Sequence, residues 1–231
     1  MSKPTLQESA YRAIATRIAE GTYSPGDWLR EQHISEELGI SPTPVREAFR
    51  RLEQEGWIEF VPRRGCRIRA LTVREIEDLF LLREAIEIVS VRRAMDSATE
   101  ADWQAIEDAA HRYEEQCREA IASAADPSAI EAPIESDLAF HVSVVEATHS
   151  ERVSQWVRTT NLQAHTMVAS RECRLDAQQL AASAFEHRAI FRAMREGQAR
   201  AAEELLRAHI ADAGQRMLAM FRLEEEEKNT R

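Results

Sequence analysis

"SPTPVREAFRR", residues 41–51, sets two prolines at the head of a stretch that otherwise has the period of a helix. From Pro42 to Gln54, Val45, Ala48, Phe49 and Leu52 fall on one face, the spacing of an amphipathic helix. The first four N–H groups of a helix have no acceptor inside it, so prolines placed there forfeit no helical hydrogen bond. Two caps satisfy this. Ser41 as N-cap makes Pro42 the first helical residue, and Thr43 as N-cap makes Pro44 the first, which respects the bias of a pre-proline residue away from helical backbone. Either way the prolines stiffen the start of the helix. Its free N–H groups, with Ser41 and Thr43, then form an end suited to an anion.

Working outward, a first helix is predicted from Leu6 to Glu20, with Ala10, Ile14 and Ile18 four apart and Gly21 as its stop. "YSPGDWL" is a turn built on Pro25-Gly26, and a short second helix runs from Glu31 to Leu38, ended by Gly39. After Gly56 come "WIEFV" with strand composition, "PRRG" as a turn and "CRIRA" alternating apolar and basic residues. Three helices, a tight turn around Gly39 and a two-stranded ribbon describe a winged helix-turn-helix.

The chain has 231 residues and is 44% hydrophobic, with only seven glycines and seven prolines, a composition that favours helices. No run approaches the length of a membrane span, and "MSKPTLQESAYR" lacks the apolar core of a signal peptide. Cys66, Cys117 and Cys173 fit no metal or disulfide spacing, so a cytoplasmic, reduced protein is expected. The net charge of −10 argues superficially against nucleic acid, but its distribution matters more. Residues 1–70 hold 11 Lys+Arg against 10 Asp+Glu, and residues 41–70 alone hold seven arginines against four acids. The remainder is strongly acidic.

Beyond residue 71 the pattern is helix after helix. "TVRE" (Thr72, Glu75) is a capping box opening a helix through about Met95, and "TEAD" at Thr99 repeats it ahead of Trp103, Ile106, Tyr113 and Cys117. "ADPS" at 125–128 is a break. Further helices are expected to about Ala147, from Ser150 to about Arg171, from Ala177 to Glu196, and from beyond Gly197 to about Leu223. The tail at 224–231, "EEEEKNTR", reads as a charged, disordered end. The fold class is mainly α: residues 1–70 form a winged helix-turn-helix with a β-ribbon wing, and 71–223 form a six-helix all-α bundle for effector binding and dimerisation.

Thr43, Arg46 and Arg50 share the face of the third helix opposite Val45, Phe49 and Leu52, which is what reading a major groove requires. Hydroxyls of Ser41 and Thr43 suit phosphate oxygens, and the wing turn adds Arg63 and Arg64, with Gly65 permitting close approach. Arg51 alone reads as an ordinary surface residue.

"LREQHISEELGISPTPVREAFRRLEQEGWIEFVPRRGCRI", residues 29–68, resembles the DNA-binding domain of the GntR family of bacterial transcription regulators, especially the branch with a FadR-type C-terminal domain (FCD). The usual pattern, Ser-Arg-Thr-Pro-Val-Arg-Glu-Ala-Leu, is kept at Ser41, Thr43, Pro44, Val45, Arg46, Glu47 and Ala48. Pro42 stands where arginine is usual. Because that arginine is a DNA contact in the family, the base preference it carries there does not transfer to Pro42. The resemblance covers residues 5 to 223.

Four residues of the C-terminal part are odd against their helical background. Asp137 and His141 stand four apart on a stripe with Ile134, Leu138 and Val145. His187 lies between Ala184 and Phe191, and His209 among Leu205, Leu206 and Ala213. An inward carboxylate needs a partner or a metal, and one Asp with three His from three helices can hold a cation. Each histidine alone reads as a hydrogen-bonded core residue. The resemblance makes the set specific, since FCD domains commonly hold a divalent transition metal with such residues, zinc first, with nickel, manganese or iron compatible. Arg83 sits on the stripe of Ile76, Leu79, Phe80, Ile86 and Val89, so its guanidinium needs either a nearby Glu or, as the resemblance implies, the carboxylate of a small organic acid. Asn161 and His165 are further pocket candidates, while His33, His111 and His149 fall outside.

The sequence thus describes a ligand-responsive regulator, not an enzyme. Double-stranded operator DNA, a second copy of the chain and a small carboxylate effector are its expected partners, with no membrane. The rivals are a metal that only staples the core, and a metal-dependent hydrolase fused to a DNA-binding domain. Against the hydrolase, no glutamate stands beside the ligands as a general base, as in His-Glu-x-x-His.

Overall fold

The computed structural model describes residues 5–19, 22–70, 72–126, 130, 131, 133–157 and 174–229. The chain divides at Leu71/Thr72 into two compact units.

In the first unit, α1 (Leu6–Ala19) packs on α3 (Pro42–Gln54), and α2 (Glu31–Leu38) packs on α3 beside it. The stripe read from sequence is the core: Val45, Ala48, Phe49 and Leu52 are fully buried against Ala10, Ile14 and Ile18. Gly39 closes α2 with φ +65°, a backbone conformation that glycine adopts without a Cβ clash, and this makes the tight turn into α3 possible. Between the two cap assignments the structure selects Ser41, whose backbone is extended, with Pro42 as first helical residue. The Ser41 side chain makes no capping bond.

The wing has three strands. β1 (Trp28–Leu29), β2 (Ile58–Val61) and β3 (Gly65–Ile68) form an antiparallel sheet in the order β1-β3-β2, with Cys66 opposite both Leu29 and Phe60. The alternation in "CRI" holds, since Cys66 and Ile68 are buried and Arg67 is exposed. β1 is an addition to the two-stranded ribbon expected. Two residues directly after a Pro-Gly turn are too short to show a period.

The second unit contains α4 (Val73–Ser97), α5 (Glu100–Ser123), α6 (Ile134–Glu146), helical residues 151–157 (α7), α8 (Ala177–Arg195) and α9 (Ala199–Asn229). Capping boxes open α4 at Thr72 with Glu75, α5 at Thr99 with Asp102, and α8 at Asp176 with Gln179. Five of these helices close a ring: α4 packs on α9, α9 on α8, α8 on α5, α5 on α6, and α6 back on α4. A two-residue pairing of β4 (Ile130–Glu131) with β5 (Arg174–Leu175) adds Ile130 and Leu175 to a cluster with Tyr113, Cys117, Leu180 and Ala184.

Three readings are corrected, two of faces and one of a helix end. Val89 is 70% exposed, because the buried stripe of α4 runs through Arg83, Glu87, Ser90, Val91 and Ala94 instead. Leu205 is exposed while Leu206 is buried. The tail does not begin as a disordered end at 224, because α9 continues to Asn229. Glutamate and lysine are good helix formers, and extending an existing helix costs no new nucleus.

Gly214 on α9 lies against the Phe80 ring on α4, where an added Cβ would come within 3.0 Å of ring carbons. Replacing a helical glycine by alanine ordinarily gains about 1 kcal/mol, but a branched side chain here must push a packed ring. Gly214→Val is expected to lower the unfolding free energy by about 1–3 kcal/mol in urea denaturation, with the helical spectrum retained at zero denaturant.

Candidate metal centre and nucleic-acid interface

Three helices of the ring aim histidines at its centre. His141 on α6, His187 on α8 and His209 on α9 are all buried, and Asp137, one turn before His141, is 23% exposed at its side chain. The three Nε2 atoms form a nearly equilateral triangle: 3.2 Å from His141 to His209, 3.3 Å from His141 to His187, and 3.2 Å from His187 to His209. Asp137 Oδ1 lies 3.5 Å from His187 Nε2, and Oδ2 lies 4.0 Å from His141 Nε2. One ligand atom from each of the four can be chosen so that all lie within 4.8 Å of one another.

The outer nitrogens explain why the inner ones face each other. His141 Nδ1 is 2.7 Å from Glu87 Oε2, and His209 Nδ1 is 2.7 Å from Glu186 Oε2. Burial works to raise the Glu87 carboxyl, but Arg83 and His141 overcome it and hold it at about 2. An ionised carboxylate only accepts, so the imidazole proton sits on Nδ1 and the Nε2 lone pair is left inward. With both outer nitrogens donating, neutral His141 and His209 would face each other lone pair to lone pair across 3.2 Å. Burial pushes His187 well below the usual histidine range, with the neighbouring His209 acting in the same direction, so its ring is neutral and can donate inward to at most one of them. His187 Nδ1 is buried with no partner among the described residues.

Such a triangle is unfavourable alone and favourable around a cation. Bonds of 2.0–2.1 Å from imidazole nitrogens to a tetrahedral ion place the nitrogens about 3.3 Å apart, close to the spacing found. The four residues thus fit a divalent ion with nitrogen ligands and one carboxylate.

Arg83 is buried on α4 as its position on the stripe predicts, and its partner is a glutamate. Nε donates to Glu87 Oε1 at 2.7 Å, while the other oxygen of Glu87 takes His141. A nearby glutamate was one of the two partners the sequence offered for Arg83, and Glu87, four residues on, is that glutamate, although the sequence did not single it out. Glu186 was missed, directly before His187. Asn161 and His165 lie outside the described residues. His33, His111 and His149 are exposed.

In the first unit, Ser41, Thr43, Arg46 and Arg50 are exposed on α3, and Arg63, Arg64 and Gly65 are exposed at the wing tip. Arg63 has φ +66° and Gly65 φ +108°, so the tip is a sharply bent turn that projects two arginines. Arg51 is absorbed into the fold by ion pairs to Glu8 and Glu55 and by the Tyr11 ring beneath its guanidinium.

A winged helix-turn-helix with arginines on its free helix face, in one chain with a helical unit centred on buried imidazoles, is the build of a DNA-binding regulator. Residues 6–68 match the bacterial regulatory proteins of the gntR family, and residues 78–212 match the FCD domain. The chain belongs to the GntR family of bacterial regulatory proteins, in the branch that carries an FCD domain, and is a DNA-binding transcriptional regulator of that type. It is 27% identical over 214 residues to the Paenarthrobacter nicotinovorans protein named "Probable D-xylose utilization operon transcriptional repressor", covering 91% of this chain and 88% of that one. Its fold matches E. coli McbR/YncC at a TM-score of 0.76 and 15% identity, over 96% of this chain and all of that one. It matches a GntR-type protein from Rhodococcus sp. RHA1 at 0.74 and 22%, over 92% and 97%. Among the described residues no helix is long and apolar enough to cross a membrane.

The carboxylates behind the imidazoles give a measurable handle. Glu186→Gln leaves the partly exposed position filled but weakens the hold on His209, and zinc affinity is expected to fall by roughly 10- to 100-fold in a chelator competition assay. The circular dichroism spectrum should not change.

Proposed function

We propose that this regulator senses a small organic anion through a divalent metal held by Asp137, His141, His187 and His209, and that sensing changes the affinity of a homodimer for a two-fold operator. The observation that carries the reading is the triangle of Nε2 atoms at 3.2–3.3 Å with two of the three tautomers fixed by carboxylates. Bound there, the ion supplies a Lewis-acidic centre at which a carboxylate oxygen can be recognised. Arg83 offers its terminal nitrogens to the same or a second anionic group, its Nε being engaged by Glu87. Zinc is the first choice for nitrogen ligands with one carboxylate, and nickel, manganese or iron suit the set as well.

On the DNA side, Arg46 and Arg50 face the major groove, Ser41 and Thr43 hold phosphates, and Arg63, Arg64 and Gly65 approach the backbone or minor groove. A paired half-site calls for a paired protein, and the C-terminal unit is assigned most of the dimer contact. The effector acts only through its differential affinity for two arrangements of the dimer.

A second reading has one observation in its favour. Arg83 already has a buried carboxylate partner in Glu87, as a purely structural metal site would have it. The two readings part on His187→Ala. Sensing predicts that the variant binds operator DNA in a gel shift but no longer responds to the acid that releases or recruits the wild type. A screen of organic acids by thermal shift, with and without chelator, finds that acid. One at about 100 times its dissociation constant should add roughly 2.7 kcal/mol in the metal-loaded protein only. Metal-dependent stability with no acid response in either assay would leave the structural site.

A further inference from the structure

Glu31 and Arg46, fifteen positions apart, form a two-point ion pair across the helix-turn-helix. Arg46 Nε lies 3.2 Å from Oε1 and 3.1 Å from Oε2, and Nη2 lies 2.8 Å from Oε2. The carboxylate therefore occupies the Nε–Nη2 edge of the guanidinium. The other edge, Nη1 with the outer hydrogen of Nη2, bonds nothing among the described residues, and 52% of the Arg46 side chain is exposed. That edge is a fork of two parallel donors, the geometry that meets guanine O6 and N7.

The other arginines of this face are held differently. Arg50 has a single contact to Glu47, three residues back on its own helix, which leaves it free to swing. Arg63 and Arg64 have no acidic partner among the described residues. A guanidinium neutralised by a carboxylate gains little from a phosphate, because the two anions repel across it. Its directional donors survive. Pro42 brings no donor to the start of α3, so the first guanidinium along α3 is that of Arg46, in the N-terminal part of the helix where recognition helices meet base edges.

We infer that Glu31 is a specificity-determining residue of the DNA interface: it takes one edge of Arg46, aims the other at a guanine in each half-site, and withholds this arginine from phosphates. Glu31 is a positioning residue, acting through Arg46, and the inference rests on the DNA-facing assignment of α3 made above.

The test is selection of bound duplexes from a random library by the full-length wild type, Glu31→Ala and Glu31→Gln, followed by fluorescence anisotropy on the selected site across a range of salt. The wild type should enrich a motif in which one guanine per half-site cannot become adenine without a loss of roughly tenfold or more. In Glu31→Ala that penalty should shrink to about twofold, while the freed arginine takes one more phosphate and steepens the log–log salt slope by about 0.9. Glu31→Gln keeps an acceptor of the same size without charge, and should steepen the slope while keeping the guanine. An undiminished guanine penalty with an unchanged slope in Glu31→Ala, folded by circular dichroism, overturns the inference. A wild type that enriches no motif overturns the DNA-facing assignment of α3 itself, and this inference with it.

Discussion

Three imidazole nitrogens held 3.2–3.3 Å apart at the centre of a ring of helices form the constraint on which the second unit depends. Aromatic rings pack against the imidazoles from inside the bundle. Phe140 stacks on His187 at 4.3 Å between centroids, and Tyr113 lies against the same ring at 4.5 Å. Burial of this kind pushes His141 and His187 below the usual histidine range. His141 and His209, whose outer nitrogens are committed to carboxylates, have no inward proton to share in their neutral forms, and His187 can donate to only one of them. A cation at the centre turns mutual repulsion into shared attraction, and the free energy of binding it becomes part of the free energy of closing the ring.

The charge network extends in one direction from there. Glu87 joins Arg83 to His141, so a guanidinium, a carboxylate and a metal-directed imidazole form one buried chain from α4 to α6. Any anion that engages Arg83 must compete with Glu87 or share the arginine with it, and either event alters the hold on His141. On the proposed reading the arginine belongs to the metal site as much as to a ligand pocket. The DNA-facing unit uses the same device at its surface, where Glu31 orients Arg46. In both places a carboxylate fixes the direction of a cationic or lone-pair-bearing group, and direction carries the chemistry.

Much of this was legible in the sequence, for reasons that differ from place to place. α2 and α3 could be bounded closely because Gly39 and Gly56 mark their ends and the prolines mark the start of α3. Val45, Ala48, Phe49 and Leu52 mark the inner face of α3, although the choice between Ser41 and Thr43 as its cap stayed open. Inward placement of His141, His187 and His209 followed from their stripes, and the resemblance to FCD domains made them a set. Glu87 was not legible as a core residue, since a glutamate on a charged helix reads as solvated until its neutralising partners are known. β1 escaped because two residues have no period. Val89 and Leu205 were placed inside because a long helix drifts around its neighbours, so a stripe that is buried at one end need not stay buried along its length. The helical run to Asn229 was hidden by a charge pattern that suits either a frayed end or a solvated helix.

The most direct measurement of the central claim is X-ray absorption at the metal edge of protein loaded with one equivalent of zinc. The account predicts a first shell of nitrogen and oxygen only, with multiple-scattering features of three imidazoles at about 2.0–2.1 Å. A shell with one imidazole or none, or with sulfur, would place the ion elsewhere and contradict the convergence of His141, His187 and His209 as the reason this unit is built as it is.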